Sequence, residues 1–123
     1  MVLVEIAIGG AAGAVARYLV DGWVSQRTGG PFPAGTLVVN LSGTFILGLL
    51  ATLAIERSVL PGVIRPTLMI GFLGAYTTFS TWMLESWRLT EQGAWAAAAA
   101  NIGGSVVLGV IALGAGIALG RAL

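Results

Sequence analysis

The sequence predicts an all-α integral membrane protein of four transmembrane helices with a broken third helix, and three observations carry that prediction. Hydrophobic residues make up 57% of the 123 positions and charged residues 9%, against about 45–50% and about 25% in soluble domains. Charges and Pro/Gly clusters cut the chain into four apolar segments, 2–24, 34–55, 67–87 and 94–119. At ~1.5 Å rise per residue, each is long enough to cross ~30 Å of hydrocarbon. The third segment carries a crowd of hydroxyl residues beside glycines. Helices of a soluble bundle alternate apolar and charged faces, whereas Arg17, Asp21 and Arg27 are the only charges between Ile6 and Ile55.

The composition also excludes function classes. There is no Lys and no His, and the six Arg are scattered, so no basic patch suits nucleic acid or acidic lipid. Without Cys, thiol catalysis, disulfides and thiolate metal sites are impossible. The first charge is Glu5, so the N-terminal apolar stretch lacks the basic region of a cleavable leader, and the N-terminus is expected to be mature. The connections, Ser25 to Pro33, Glu56 to Pro66 and Arg88 to Gly93, leave no room for an extramembrane domain, so residues 1–123 read as a single transmembrane unit.

The first segment places Gly9 and Gly13 in GxxxG relation, as the fourth does Gly116 and Gly120. Nineteen Gly in this length make sense where small residues let helix backbones approach in lipid. Trp23, Trp87 and Trp95 fall near segment ends, where amphipathic rings favour the headgroup level. In the second segment, Thr36, Asn40 and Gly43 share a face, and the Asn40 amide must find partners within an apolar span. Interhelical glue and a polar site both remain open for it. The third segment holds Thr77, Thr78, Ser80 and Thr81 just after Gly71 and Gly74. Any one hydroxyl can bond back to its own helix. Together they suggest a helix broken near the bilayer midplane, with freed backbone groups facing a hydrated or ion-binding site. On the fourth segment Ala98, Asn101, Ser105, Gly109, Ala112 and Gly116 form one stripe, expected to press on another helix.

Charge placement bears on assembly. One side of the membrane receives Arg57, Arg65 and Arg121; the other receives Arg27, Arg88 and, from inside the first helix, Arg17. The positive-inside rule is near a tie. A chain that inserts both ways can pair with its inverted copy, gaining from a second chain the two-fold symmetry that larger transporters build from inverted repeats.

The patterns GGxxGAxxRY (Gly9 to Tyr18), PxGTLxVNxxGxF (Pro33 to Phe45) and GFxGxxTTFST (Gly71 to Thr81) resemble the signatures of the small bacterial fluoride channels, the Fluc or CrcB family, over nearly the whole chain. The resemblance implies an antiparallel, dual-topology homodimer in the cell's inner (plasma) membrane that passively exports cytoplasmic fluoride and protects against its toxicity, with no enzymatic activity. It implies a fluoride pathway through Asn40, Phe79, Ser80, Thr81, Trp82, Ser105 and Thr36, with Arg17 at the pore mouth. It also implies a structural sodium ion at the dimer centre, bound by the carbonyls of Gly74 and Thr77. Two positions depart from the family's pattern. Trp82 stands where a second Phe is usual, and Gly109 where some members carry a hydroxyl.

The chemistry agrees with that implication. Fluoride is small and strongly hydrated, so its path must offer hydrogen-bond donors in exchange for water. Amides and hydroxyls donate, and aromatic rings offer a positive edge. A small dual-topology multidrug exporter would need a carboxylate at midplane, but Glu5 and Glu85 lie near segment ends. A non-transporting assembly subunit would use Asn40 and the hydroxyls only as glue.

Overall fold

A computed structural model describes residues Met1–Leu123, all of them helical or in short connections. Helix α1 (Val2–Thr28) ends where Gly29, at φ 59°, turns the chain and donates its N–H to the Ser25 carbonyl. Helix α2 (Ala34–Ala51) starts after Pro33 and continues as a π-helical turn, Thr52–Glu56. The third span is composite. It comprises a π-helical segment, Arg65–Phe72, opened by Pro66, then α3 (Leu73–Tyr76), an interruption at Thr77 and Thr78, and α4 (Phe79–Glu91). Gly93, at φ 75°, leads into α5 (Trp95–Ala122).

Three continuous helices, Val2–Thr28, Ala34–Glu56 and Trp95–Ala122, are long and apolar enough to cross a membrane. Neither half of the third span reaches that length alone. Only 19 of 123 residues are buried, while Val15, Leu19, Val107, Val110 and Ile111 stand more than half exposed. An apolar surface this extensive suits lipid, and the chain is a membrane protein.

Glycines set the packing. A Cβ on Gly9 would overlap the Thr67 carbonyl oxygen, and one on Gly13 the Phe72 carbonyl, so α1 lies backbone to backbone on the π-helical segment. Gly116 meets the Phe45 carbonyl in the same way, and a Cβ on Gly48 would come within 2.5 Å of the Leu113 carbonyl, which joins α2 to α5. Both GxxxG pairs therefore sit at helix contacts. Val39, Leu73 and Tyr76 form the small core between α2 and the third span. At the ends of two spans, Arg121 and Glu56 pair at 2.9 Å.

The stripe on α5 behaves differently from expectation. Ala98, Asn101 and Gly116 are buried, but Ser105 and Gly109 are only partly covered, and no atom lies within 4 Å of a Cβ built on Gly109. The ends of the stripe pack on other helices, and its middle lines a groove.

Candidate functional site

The interruption of the third span organises the polar residues. Thr77 (φ −77°, ψ 153°) and Thr78 (φ −146°, ψ 122°) are extended, a conformation that suits β-branched residues. Thr78 caps α4, its Oγ1 accepting from the Thr81 N–H at 3.3 Å. Across the helix gap, Asn40 Oδ1 accepts the Thr78 N–H at 2.8 Å and Asn40 Nδ2 donates to the Thr78 carbonyl at 3.1 Å. One side-chain amide thus pairs with an extended residue as a neighbouring strand would. Opposite the break, a Cβ on Gly43 would lie 2.5 Å from the Thr77 methyl, so only glycine lets α2 approach this closely.

The break takes the helical donors from the carbonyls of residues 74–77, those of Gly74 and Thr77 among them. In an unbroken helix the Thr78 amide would bond the Gly74 carbonyl and the Thr81 amide the Thr77 carbonyl. Here those amides donate to Asn40 Oδ1 and to Thr78 Oγ1 instead. Gly74 is exposed, and nothing stands within 4 Å of a Cβ built there. Freed carbonyls in a membrane need a cation or a donor, and carbonyl oxygens suit a hard cation. No cluster of acidic side chains offers an alternative metal site. The residues present therefore fit a cation held by backbone carbonyls.

Asn40, Thr36, Thr81, Trp82 and Ser105 of the expected pathway fall into two hollows with the Asn40–Thr78 pair between them, and Phe79 and Ser80 line neither. One, of about 230 Å³, brings together Arg17, Tyr18, Asp21, Thr36, Thr78 and Thr81. The other, about 320 Å³ and open along one side, is lined by Asn40, Thr44, Trp82, Ser105 and Gly109 with apolar neighbours from α5. Ser105 Oγ is buried without a hydrogen-bond partner. Asn40 keeps one amide hydrogen beyond the one given to Thr78. Phe79 is 70% exposed, and its ring meets Trp82 edge to face with centroids 5.6 Å apart. Ser80 is exposed and lines neither hollow. The Trp82 indole N–H, the added donor at a departing position, is given to the Asn101 carbonyl at 3.0 Å.

Glu85, near the end of the third span, belongs with these residues. Its carboxylate accepts the hydrogen bond of the Thr36 hydroxyl, and it lines a further hollow with Arg88. The signal available in sequence was a lone carboxylate one turn before a span end, which needs a donor nearby.

The family described as CrcB-like protein, Camphor Resistance (CrcB), matches residues 4–117. The chain is 46% identical over 121 residues to a protein of Magnetococcus marinus named fluoride-specific ion channel FluC, covering 98% of each chain. It is 46% identical over 123 residues to a protein of the same name from Syntrophotalea carbinolica, with both chains covered completely. A Mycolicibacterium paratuberculosis protein named fluoride-specific ion channel FluC 2 is 53% identical over 110 residues, covering 88% of this chain and 84% of that one.

Proposed function

The chain belongs to the CrcB family, and we propose on that footing that it is a passive fluoride-selective channel, not an enzyme, which lets cytoplasmic fluoride leave across the inner membrane. The observation that carries the reading is the uncharged groove beside the helix break. Asn40 brings to it an amide with a hydrogen to spare, and Ser105, in its wall, has a hydroxyl that is buried without a partner. A path for a strongly hydrated anion needs such donors and no fixed negative charge. At the neighbouring hollow Arg17 places a positive charge at the mouth, beside the Asp21 carboxylate that shares it.

A single chain leaves this arrangement unfinished. The groove is open along one side, Phe79 is 70% exposed and Gly74 is bare. A second, inverted copy completes it. The inverted copy is supported by the balanced Arg distribution, and the completed dimer would contain two such grooves. With both chains present, Gly74 and Thr77 contribute four freed carbonyls, which would hold a structural sodium ion at the centre and neutralise dipoles that otherwise face one another across the interface.

The pairing of Asn40 with Thr78 is also what an assembly subunit would show, so the amide's structural and conducting roles must be separated by experiment. Expression in a bacterium without its own fluoride exporter should restore growth in fluoride. The neutral, membrane-permeant acid predominates as external pH falls, so the rescue should widen on acidification. Equal growth with and without the protein would count against the reading.

Dual topology has its own test. Ser58 and Gln92 are exposed in connections on opposite sides of the bundle. Single Ser58→Cys and Gln92→Cys variants, treated from one side with an impermeant thiol reagent, should each be modified in part of the population. Modification of only one of the two would leave a single orientation.

A further inference from the structure

The mouth of the path holds a negative charge that the channel reading leaves without a task. Arg17 and Asp21 stand one turn apart on α1 and line the same hollow of about 230 Å³. They form no ion pair, the one ion pair of the chain being that of Arg121 with Glu56. Asp21 is anchored elsewhere. Its Oδ1 accepts from the Ser25 hydroxyl at 3.3 Å and lies against α2, where a Cβ on Gly35 would overlap it. Only glycine at that position lets the carboxylate press on α2. All of these contacts lie within one chain, so the second copy is not needed to seat Asp21.

The rest of the mouth is balanced in the same way. The first turn of α2 contains no acidic residue and no side-chain cap. Carboxylates approach it from other helices, Asp21 at Gly35 and Glu85 at Thr36, as a helix N-terminus favours. Glu85 shares its hollow with Arg88, as Asp21 shares its own with Arg17. Two cations and two carboxylates therefore meet here, and their charges cancel. A lone arginine would concentrate anions of every kind, by a field that does not tell one from another. Conduction needs a mouth that admits an ion and then releases it. Tied to Ser25 and Gly35, Asp21 weakens that field without bonding to the Arg17 guanidinium.

We propose that Asp21 sets the anion affinity of the mouth: it cancels the long-range field of Arg17, so that fluoride enters without being held and selection is left to the donors of the groove. This rests on the channel reading above.

Asp21→Asn removes the charge and keeps both the size and the oxygen that accepts from Ser25. Conductance of the full-length protein and of this variant is to be measured in planar bilayers at graded fluoride, in a salt of large organic ions at about 0.1 M and about 1 M, where screening lengths are ~10 Å and ~3 Å. An ion at the centre of a hollow this size lies roughly 4 Å from the wall, where a unit charge in water shifts affinity about fivefold. In Asp21→Asn the half-saturating fluoride concentration should fall about fivefold at the lower salt, and the difference should close at the higher. Arg17→Gln should raise it. An Asp21 that merely steadied the N-terminus of α2 would change stability and leave this salt dependence untouched. Parental half-saturation in Asp21→Asn, a fall that persists at high salt, or no rise in Arg17→Gln would overturn the proposal and leave the channel reading standing. Should Asp21→Asn fail to fold, the parental protein decides. A balanced mouth gives nearly the same half-saturation in both salts, and the steep rise with salt of a positive mouth would overturn the proposal. No fluoride conductance in the parental protein would overturn the channel reading and the proposal together.

Discussion

Asn40→Asp is expected to reduce fluoride release to the level of empty liposomes. The substitution keeps size and still accepts the Thr78 N–H, but it places a carboxylate oxygen where Nδ2 donates to the Thr78 carbonyl and sets a negative charge beside the groove. At an effective dielectric of about 20, unit charges about 4 Å apart repel by about 4 kcal/mol, roughly a thousandfold in rate. Phe79→Leu separates conduction from assembly. The ring is mostly exposed and touches Trp82, so its loss disturbs little of the fold, while the positive ring edge disappears. Flux through Phe79→Leu should fall by about tenfold, the value of roughly one edge-to-face contact. Both variants are to be measured on purified fractions that elute at the parental protein's size. Near-parental flux from both would remove Asn40 and Phe79 from the path, and loss of the dimer in Asn40→Asp alone would assign the amide to glue.

Gly13→Val should abolish folded protein. Its added Cβ would overlap the carbonyl of Phe72, which is backbone and cannot rotate away, so α1 must retreat from the π-helical segment along its length. Overpacking usually costs about 1–3 kcal/mol, and a clash with backbone belongs at or above the top of that range. Gly103→Ala is the control: nothing lies within 4 Å of its Cβ position, and a change within about 0.5 kcal/mol is expected. Thermal unfolding in detergent, followed by size-exclusion profiles, distinguishes the two. A Gly13→Val protein that unfolds at the parental temperature would show that the α1 contact does not hold the bundle together.

The broken third span was legible because its cause is local. Two adjacent β-branched hydroxyl residues, Thr77 and Thr78, follow Gly74, and they offer the backbone alternatives to helical bonds within a few positions. The GxxxG pairs were legible for a similar reason, since close approach needs small residues at fixed spacing. What could not be read is what lies across the gap. Asn40 is 38 positions from Thr78, and no periodicity says that its amide meets that backbone at two points. The π-helical stretches, Thr52–Glu56 and Arg65–Phe72, carry no sequence mark that separates them from ordinary helix. Trp82 stands where a second Phe is usual, and nothing local says that its indole N–H goes to the Asn101 carbonyl across the α4–α5 contact. Thr36 shares a face with Asn40, which is legible, but its bond to Glu85 is invisible without the helix crossing.

These elements converge on one claim: a break held by Asn40 produces an anion groove and cation-binding carbonyls together. Liposomes containing the purified parental protein, loaded with fluoride and monitored by an ion-selective electrode, test it directly. The account predicts fast release in sodium with no proton gradient, and slower release when sodium is replaced throughout by a large organic cation that four carbonyls cannot enclose. Release no faster than from protein-free liposomes would contradict the channel, and release indifferent to sodium would contradict the carbonyl site.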